Sequence, residues 1–249
     1  MIFILNNNLF CYNLSVINMK MDFLKTRIIA HRGIYDNQRL YENTIGAIEK
    51  AIKENIPVFL DISLLKDENL ICFNDSTLTR LLHVEEKTKD VTLNDINYYS
   101  KIKIPTLEEA LVLIRGRVPV ILNIRSESKK HFIENKILSM IKNYPGELCI
   151  QSTNLGFLKY IHKSNKNIKI GYLVNKSNYY KFFIFNKFDY VCIDSLLISD
   201  RQARKLRESY FLVGLNIKDK NHYLKKSNCY DAYVCDNVLD IIENQVYNK

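Results

Sequence analysis

Residues 27–62 read RIIAHRGIYDNQRLYENTIGAIEKAIKENIPVFLDI. A short apolar run, Arg27–Ala30, leads through a polar loop into Thr44–Asn55, whose apolar residues recur at helical spacing, and then into a second apolar run, Val58–Ile62. Asn43 or Thr44 supplies a good N-cap type for the helix. Strand, helix and strand in this order make the unit of a parallel sheet, because parallel strands need a crossover connection between them.

The pattern repeats to the end of the chain. Further strand-like runs are Pro119–Ile124, Leu148–Gln151, Ile168–Leu173, Tyr190–Ile193, Phe211–Ile217 and Ala232–Cys235. Helical segments are expected at Thr106–Ile114, Lys130–Lys142, Leu155–His162, Asn178–Phe183, Asp200–Glu208, Asp219–Lys226 and Val238–Tyr247. Leu70–Phe73 follows the turn Lys66-Asp67-Glu68-Asn69 and reads as a hairpin return. Strands alternating with helices in this number predict an α/β fold, a closed (β/α)8 TIM barrel rather than an open doubly wound sheet. Neither G-x-G-x-x-G nor G-x-x-x-x-G-K occurs, which excludes the Gly-rich dinucleotide and P-loop readings.

The bulk properties agree. The chain has 249 residues, 47% hydrophobic and 25% charged, with only 7 Gly and 4 Pro, so it is neither disordered nor a low-complexity chain. The formal charge is 36 − 27 = +9, but Lys and Arg are scattered. An excess of cations favours anionic ligands, but a scattered one reads first as a composition-biased solvated surface, and nucleic acid is not expected. Six cysteines without a C-x-x-C pair read as buried thiols of a reducing compartment, hence a cytoplasmic protein. No run of 18 apolar residues is present, so no transmembrane segment is expected. Residues 1–26 carry Asn6-Asn7-Asn8 and have their first basic residue, Lys20, after the apolar part, the wrong order for a signal peptide. They are read as an N-terminal extension, separate from a barrel over 27–249.

In such a barrel the chemistry lies where strands end. The first strand ends in His31-Arg32-Gly33, the second in Asp61, and the hairpin in Asn74-Asp75. His31 could exchange protons and Arg32 could fork onto phosphate oxygens, although a lone histidine there is as readily structural. The order of segments is more specific. IIAHRGIYDNQRLYENTIGAIEKAI (residues 28–52), IPVFLDISLLKDENLICFNDSTLTRLL (56–82) and IPTLEEALVLIRGRVPVILNIRSE (104–127) resemble the glycerophosphodiester phosphodiesterase family, most closely its cytoplasmic bacterial branch. That family shows H-R-G, P-E-N-[ST], E-x-D, T-K-D-G and H-D in this order, and its fold is a TIM barrel. The resemblance implies a phosphoric diester hydrolase of lipid and glycerol metabolism that acts on a small phosphorylated molecule such as a glycerophosphodiester.

The resemblance also exposes departures. His31 matches one catalytic histidine of the family, but Asn74 stands at the other. The family's Mg or Ca ion is held by three carboxylates, and those positions read Phe59, Asp61 and Asn123. Arg32, Glu42, Asn43 and Asp75 are kept, Arg125 stands for a lysine, and Leu215 for an aromatic residue. Arg32 and Arg125 are expected to bind phosphate, with Glu42, Asn43 and Asp75 supporting. One carboxylate, an amide and a phenyl ring make a poor cage for a hard cation, so no tight metal binding is expected. Asn cannot protonate a leaving alkoxide, so catalysis is expected to be impaired. Two readings stand: a pseudoenzyme that binds a phosphorylated ligand, or an active hydrolase with a rearranged site in which His83 could supply the missing acid. His131, His162 and His222 are read as surface residues on helices away from the strand ends.

Overall fold

The computed structural model describes residues 27–126, 130–179 and 188–246, so the extension read at 1–26 lies outside the described residues. The elements are β1 (Ile28–His31), α1 (Ile45–Lys53), β2 (Val58–Leu64), β3 (Leu70–Cys72), α2 (Thr79–Leu82), a 3₁₀ turn (Thr88–Asp90), α3 (Leu93–Tyr99) and α4 (Leu107–Ile114). They continue as β4 (Val120–Ile124), α5 (Phe132–Ile141), β5 (Leu148–Ser152), α6 (Leu155–Ser164), β6 (Lys169–Val174), β7 (Tyr190–Asp194), α7 (Asp200–Arg207), β8 (Leu212–Ile217), α8 (Lys220–Lys226), β9 (Ala232–Cys235) and α9 (Val238–Val246).

Eight parallel strands close a ring in the order β1-β2-β4-β5-β6-β7-β8-β9, with β9 pairing back onto β1. This is the TIM barrel expected from the sequence. β3 lies antiparallel to β2 outside the ring, as the hairpin reading required. Residues 74–105 were not read as helical, yet they hold α2, the 3₁₀ turn and α3. Their short apolar sets bury Leu78, Leu82, Val91, Ile96 and Ile104 with Ile71 and Phe73 in a small core of their own. The helix expected at Asn178–Phe183 begins in a turn over 176–179, and its remainder lies outside the described residues.

Period-two alternation decides which side chains face where. Ala30, Val58, Leu60, Ile62, Val120 and Leu122 point outward and pack against Ile48 and Ala51 of α1 and Leu107 and Ala110 of α4. Ile29, Phe59, Ile121, Cys149, Tyr190, Cys192, Val213 and Val234 fill the barrel interior. A Cβ on Gly171 would lie 2.0 Å from the Tyr190 ring, so this glycine is what lets the phenol cross the interior. The next inward positions toward the carboxyl ends are His31, Asp61, Asn123 and Gln151. Asp61 pairs in register with Asn123, and Asn123 with Gln151, so three polar side chains stand side by side.

Candidate functional site

Gly33 makes the turn after β1 possible. Its φ is +83°, and a Cβ would come within 2.7 Å of the Ala47 backbone in α1. Arg32 itself sits at φ +66°, a strained conformation for a residue with a Cβ. The turn is fixed by Arg32 N–H donating to Phe59 O at 2.6 Å and Asn43 N–H donating to Arg32 O at 2.8 Å. The Thr44 cap then starts α1, which puts Glu42 and Asn43 in the mouth.

There Arg32 donates from Nε to Asp61 Oδ2 at 2.8 Å and from Nη1 to Glu42 Oε1 at 2.7 Å. Asn123 Nδ2 donates to the other Asp61 oxygen at 2.7 Å, and Gln151 Nε2 donates to Asn123 Oδ1 at 3.3 Å. Asn43 Oδ1 accepts from the Asp61 backbone N–H at 3.3 Å. Phe59 is buried, with its ring edge-on to His31 at 5.3 Å between centroids. Glu42 is buried among cations: Arg80 donates to it from Nη2 at 2.6 Å and from Nη1 at 3.1 Å, and also donates from Nε to Asp75 Oδ2 at 2.6 Å. Asn74 Nδ2 donates to Asp75 Oδ1 at 2.7 Å.

The electrostatics follow from this wiring. Burial would raise the Glu42 pKa, but the hydrogen bond from Arg80 and the charge of Arg32 hold it below the usual carboxylate range. Burial would lower the Arg32 pKa, and Asp61 with Glu42 more than reverse that. Tyr35 is half-buried within electrostatic range of Asp236, Glu42, Arg32 and Arg80; burial and the two carboxylates push its phenol up.

His31 Nδ1 lies 2.6 Å from Asp236 Oδ1, so it carries the donated proton and leaves Nε2 without a protein partner among the described residues. Asp236 was missed in the sequence, although it directly follows β9 at the same end of the barrel, and inspecting every strand end would have found it. Arg80 was missed too; it sits on the short α2 that the sequence reading left out. Arg125 follows β4 and is exposed, with no side-chain bond to any described residue. His83 is an exposed residue in the left-handed conformation closing α2.

Two corrections concern histidines. His222, read as remote from the strand ends, places Nε2 3.3 Å from Oγ of Ser195, the residue after β7, because it lies in the first turn of α8, just past the end of β8. His162 is only partly exposed, and its Nδ1 is buried without a hydrogen-bond partner among the described residues. His131 stays on the surface, stacked on Tyr160 at 3.9 Å.

The described residues hold no group of three His, Cys, Asp or Glu side chains able to hold a metal. Both oxygens of Asp61 accept hydrogen bonds from within the chain, and Phe59 and Asn123 bring no charge. This donor set does not fit a hard divalent cation.

The profile of the glycerophosphoryl diester phosphodiesterase family matches residues 31–208. A glycerophosphodiester phosphodiesterase of Caldanaerobacter subterraneus subsp. tengcongensis is 34% identical over 166 residues, covering 60% of this chain and 67% of that one. A phosphodiesterase of Oleispira antarctica, solved with its product sn-glycerol-3-phosphate, superposes with a TM-score of 0.77 at 21% identity, over 91% of this chain and 99% of that one. The glycerophosphodiester phosphodiesterase of Thermotoga maritima gives 0.71 at 22% identity, over 88% and 97%. The order of motifs from His31 onward, the closed barrel that carries them and these relatives agree: the chain belongs to the glycerophosphoryl diester phosphodiesterase family.

Proposed function

We propose that this barrel binds a small phosphorylated molecule of the glycerophosphodiester class and hydrolyses it poorly or not at all. The observation that carries the reading is the state of Asp61, the one retained carboxylate of the family's metal triad, whose two oxygens are engaged by Arg32 and Asn123. With Asn74 at the second histidine position, the site offers neither a fitting cage for a divalent cation nor a second imidazole to protonate the leaving alkoxide. What it keeps serves binding. Arg32 has Nη2 unengaged by any described residue, and Arg125 is an exposed cation at the end of β4. No tight binding of Mg or Ca is part of this reading.

A second reading, an active phosphoric diester hydrolase with a rearranged site, is favoured by one observation. The His31–Asp236 pair has the geometry of an oriented acid–base imidazole. His83, an exposed residue closing α2, is the candidate for the missing acid in this reading. Both readings place the protein in glycerol and lipid metabolism of the cytoplasm. That compartment is supported by five buried free cysteines among the described residues.

Calorimetry with glycerophosphocholine, alongside a hydrolysis assay with and without Mg²⁺, separates the readings. The first expects binding with turnover near background. Brisk turnover lost in His31→Ala overturns it and establishes the second.

A further inference from the structure

A chain of alternating charges crosses one side of the mouth: Asp61, Arg32, Glu42, Arg80 and Asp75, every link between 2.6 and 2.8 Å. Its centre, Glu42, is 2% exposed in its side chain and takes both oxygens to Arg80 and one to Arg32. Such a buried carboxylate is costly unless paired, and here it serves to hold two guanidinium groups side by side that would otherwise repel. The two differ in what they still offer. Arg32 is 16% exposed, with two of its three nitrogens engaged. Arg80 is 46% exposed, and each terminal nitrogen donates one proton to Glu42, which leaves the second proton of each for another acceptor. Arg80 also reaches Asp75, and through it Asn74, the place where a family member carries its second histidine.

We propose that Arg80 and Arg32, locked together across Glu42, form a two-guanidinium clamp that receives the ligand's phosphate and supplies from within the chain positive charge beside the fully engaged Asp61. This rests on the phosphate-binding reading above and adds a residue to it. A phosphodiester offers two non-bridging oxygens, which suits two planar forks better than one flexible ammonium. The network stands ready before the ligand arrives, so binding requires little reorganisation.

The test is calorimetric titration of glycerophosphocholine into the whole protein at low and moderate salt, for the native chain, Arg80→Ala and Arg80→Lys. Arg80→Ala is expected to weaken affinity about tenfold or more, the scale of one charged hydrogen bond. It should also flatten the dependence of affinity on salt, since one cation has left the site. Arg80→Lys is expected to keep the salt dependence and recover part of the affinity. A merely structural Arg80 would instead lower the thermal midpoint and leave the salt dependence alone. Affinity unchanged in a folded Arg80→Ala overturns the clamp while leaving the phosphate-binding reading intact. No binding by the native chain, with or without Mg²⁺, overturns both. Should Arg80→Ala not fold, Arg80→Lys decides: reduced affinity with the native salt dependence supports the clamp, and unchanged affinity overturns it.

Discussion

The β1 side and the β2–β4 side of the barrel mouth have diverged in kind. On the β1 side the chain keeps charged, hydrogen-bonded groups: His31 on Asp236, and Arg32 on Glu42 and Asp61. On the β2–β4 side the two aspartates have neutral neighbours, with Phe59 buried and Asn123 and Asn74 each donating an amide proton, to Asp61 and Asp75. The difference teaches how a buried carboxylate is held where the residues around it do not fit a cation. Asp61 cannot remain buried and bare, and the neighbours that satisfy it are an arginine from one side and an amide from the other. The charged and the neutral partners meet on this one carboxylate.

The comparison breaks first at Glu42. Glu42→Ala removes the buried carboxylate that pairs the largely buried Arg32 with Arg80, and is expected to cost about 3–5 kcal/mol. In a chain of this size that lowers the thermal midpoint by about 10 °C, measured by circular dichroism. A loss below about 1 kcal/mol would mean that the charged side is no more tightly built than the neutral one.

Acid should act on the same side. The Glu42 carboxyl is held below its ordinary value of 4.5, so its folded state binds protons less readily than the unfolded chain. Its contribution is therefore complete above about pH 4.5 and is lost as pH falls through the folded value. Denaturant titrations across pH 6 to about 3 should show stability falling with acid, and Glu42→Gln should flatten that fall.

The neutral side can be recharged. Phe59→Glu, Asn74→His and Asn123→Glu together are expected to give a measurable Mg²⁺ or Ca²⁺ affinity, at least tenfold tighter than in the native chain, read by calorimetry. The same change carries a stability cost, because Glu at position 59 enters a place now packed with a ring against His31. Native-chain metal binding as tight as the variant's would refute the assignment of Asp61 as engaged.

The smallest effect is expected at Asp75. It is 19% exposed and pairs with the 46% exposed Arg80. Asp75→Ala should cost no more than about 1 kcal/mol in urea denaturation, several-fold less than Glu42→Ala.

The sequence by itself determined the barrel. Eight apolar runs alternating with helical periods leave no other economical way to bury both faces of each strand, and the positions of all eight follow from local pattern alone. It also determined which residues stand at 59, 74 and 123, since Phe59, Asn74 and Asn123 are chemical identities that need no coordinates. Helices α2 and α3 escaped because they are short and their apolar residues serve a satellite core, where tertiary packing rather than periodicity sets the structure. What only the tertiary structure decided is partnership. Asp236 lies 205 residues from His31 and Arg80 lies 38 from Glu42, and no local spacing joins them. Closing the ring brings β9 back onto β1, and the excursion after β3 folds α2 over the mouth. A hydrogen bond depends on the last ångström of separation, which closure fixes and the order of residues does not.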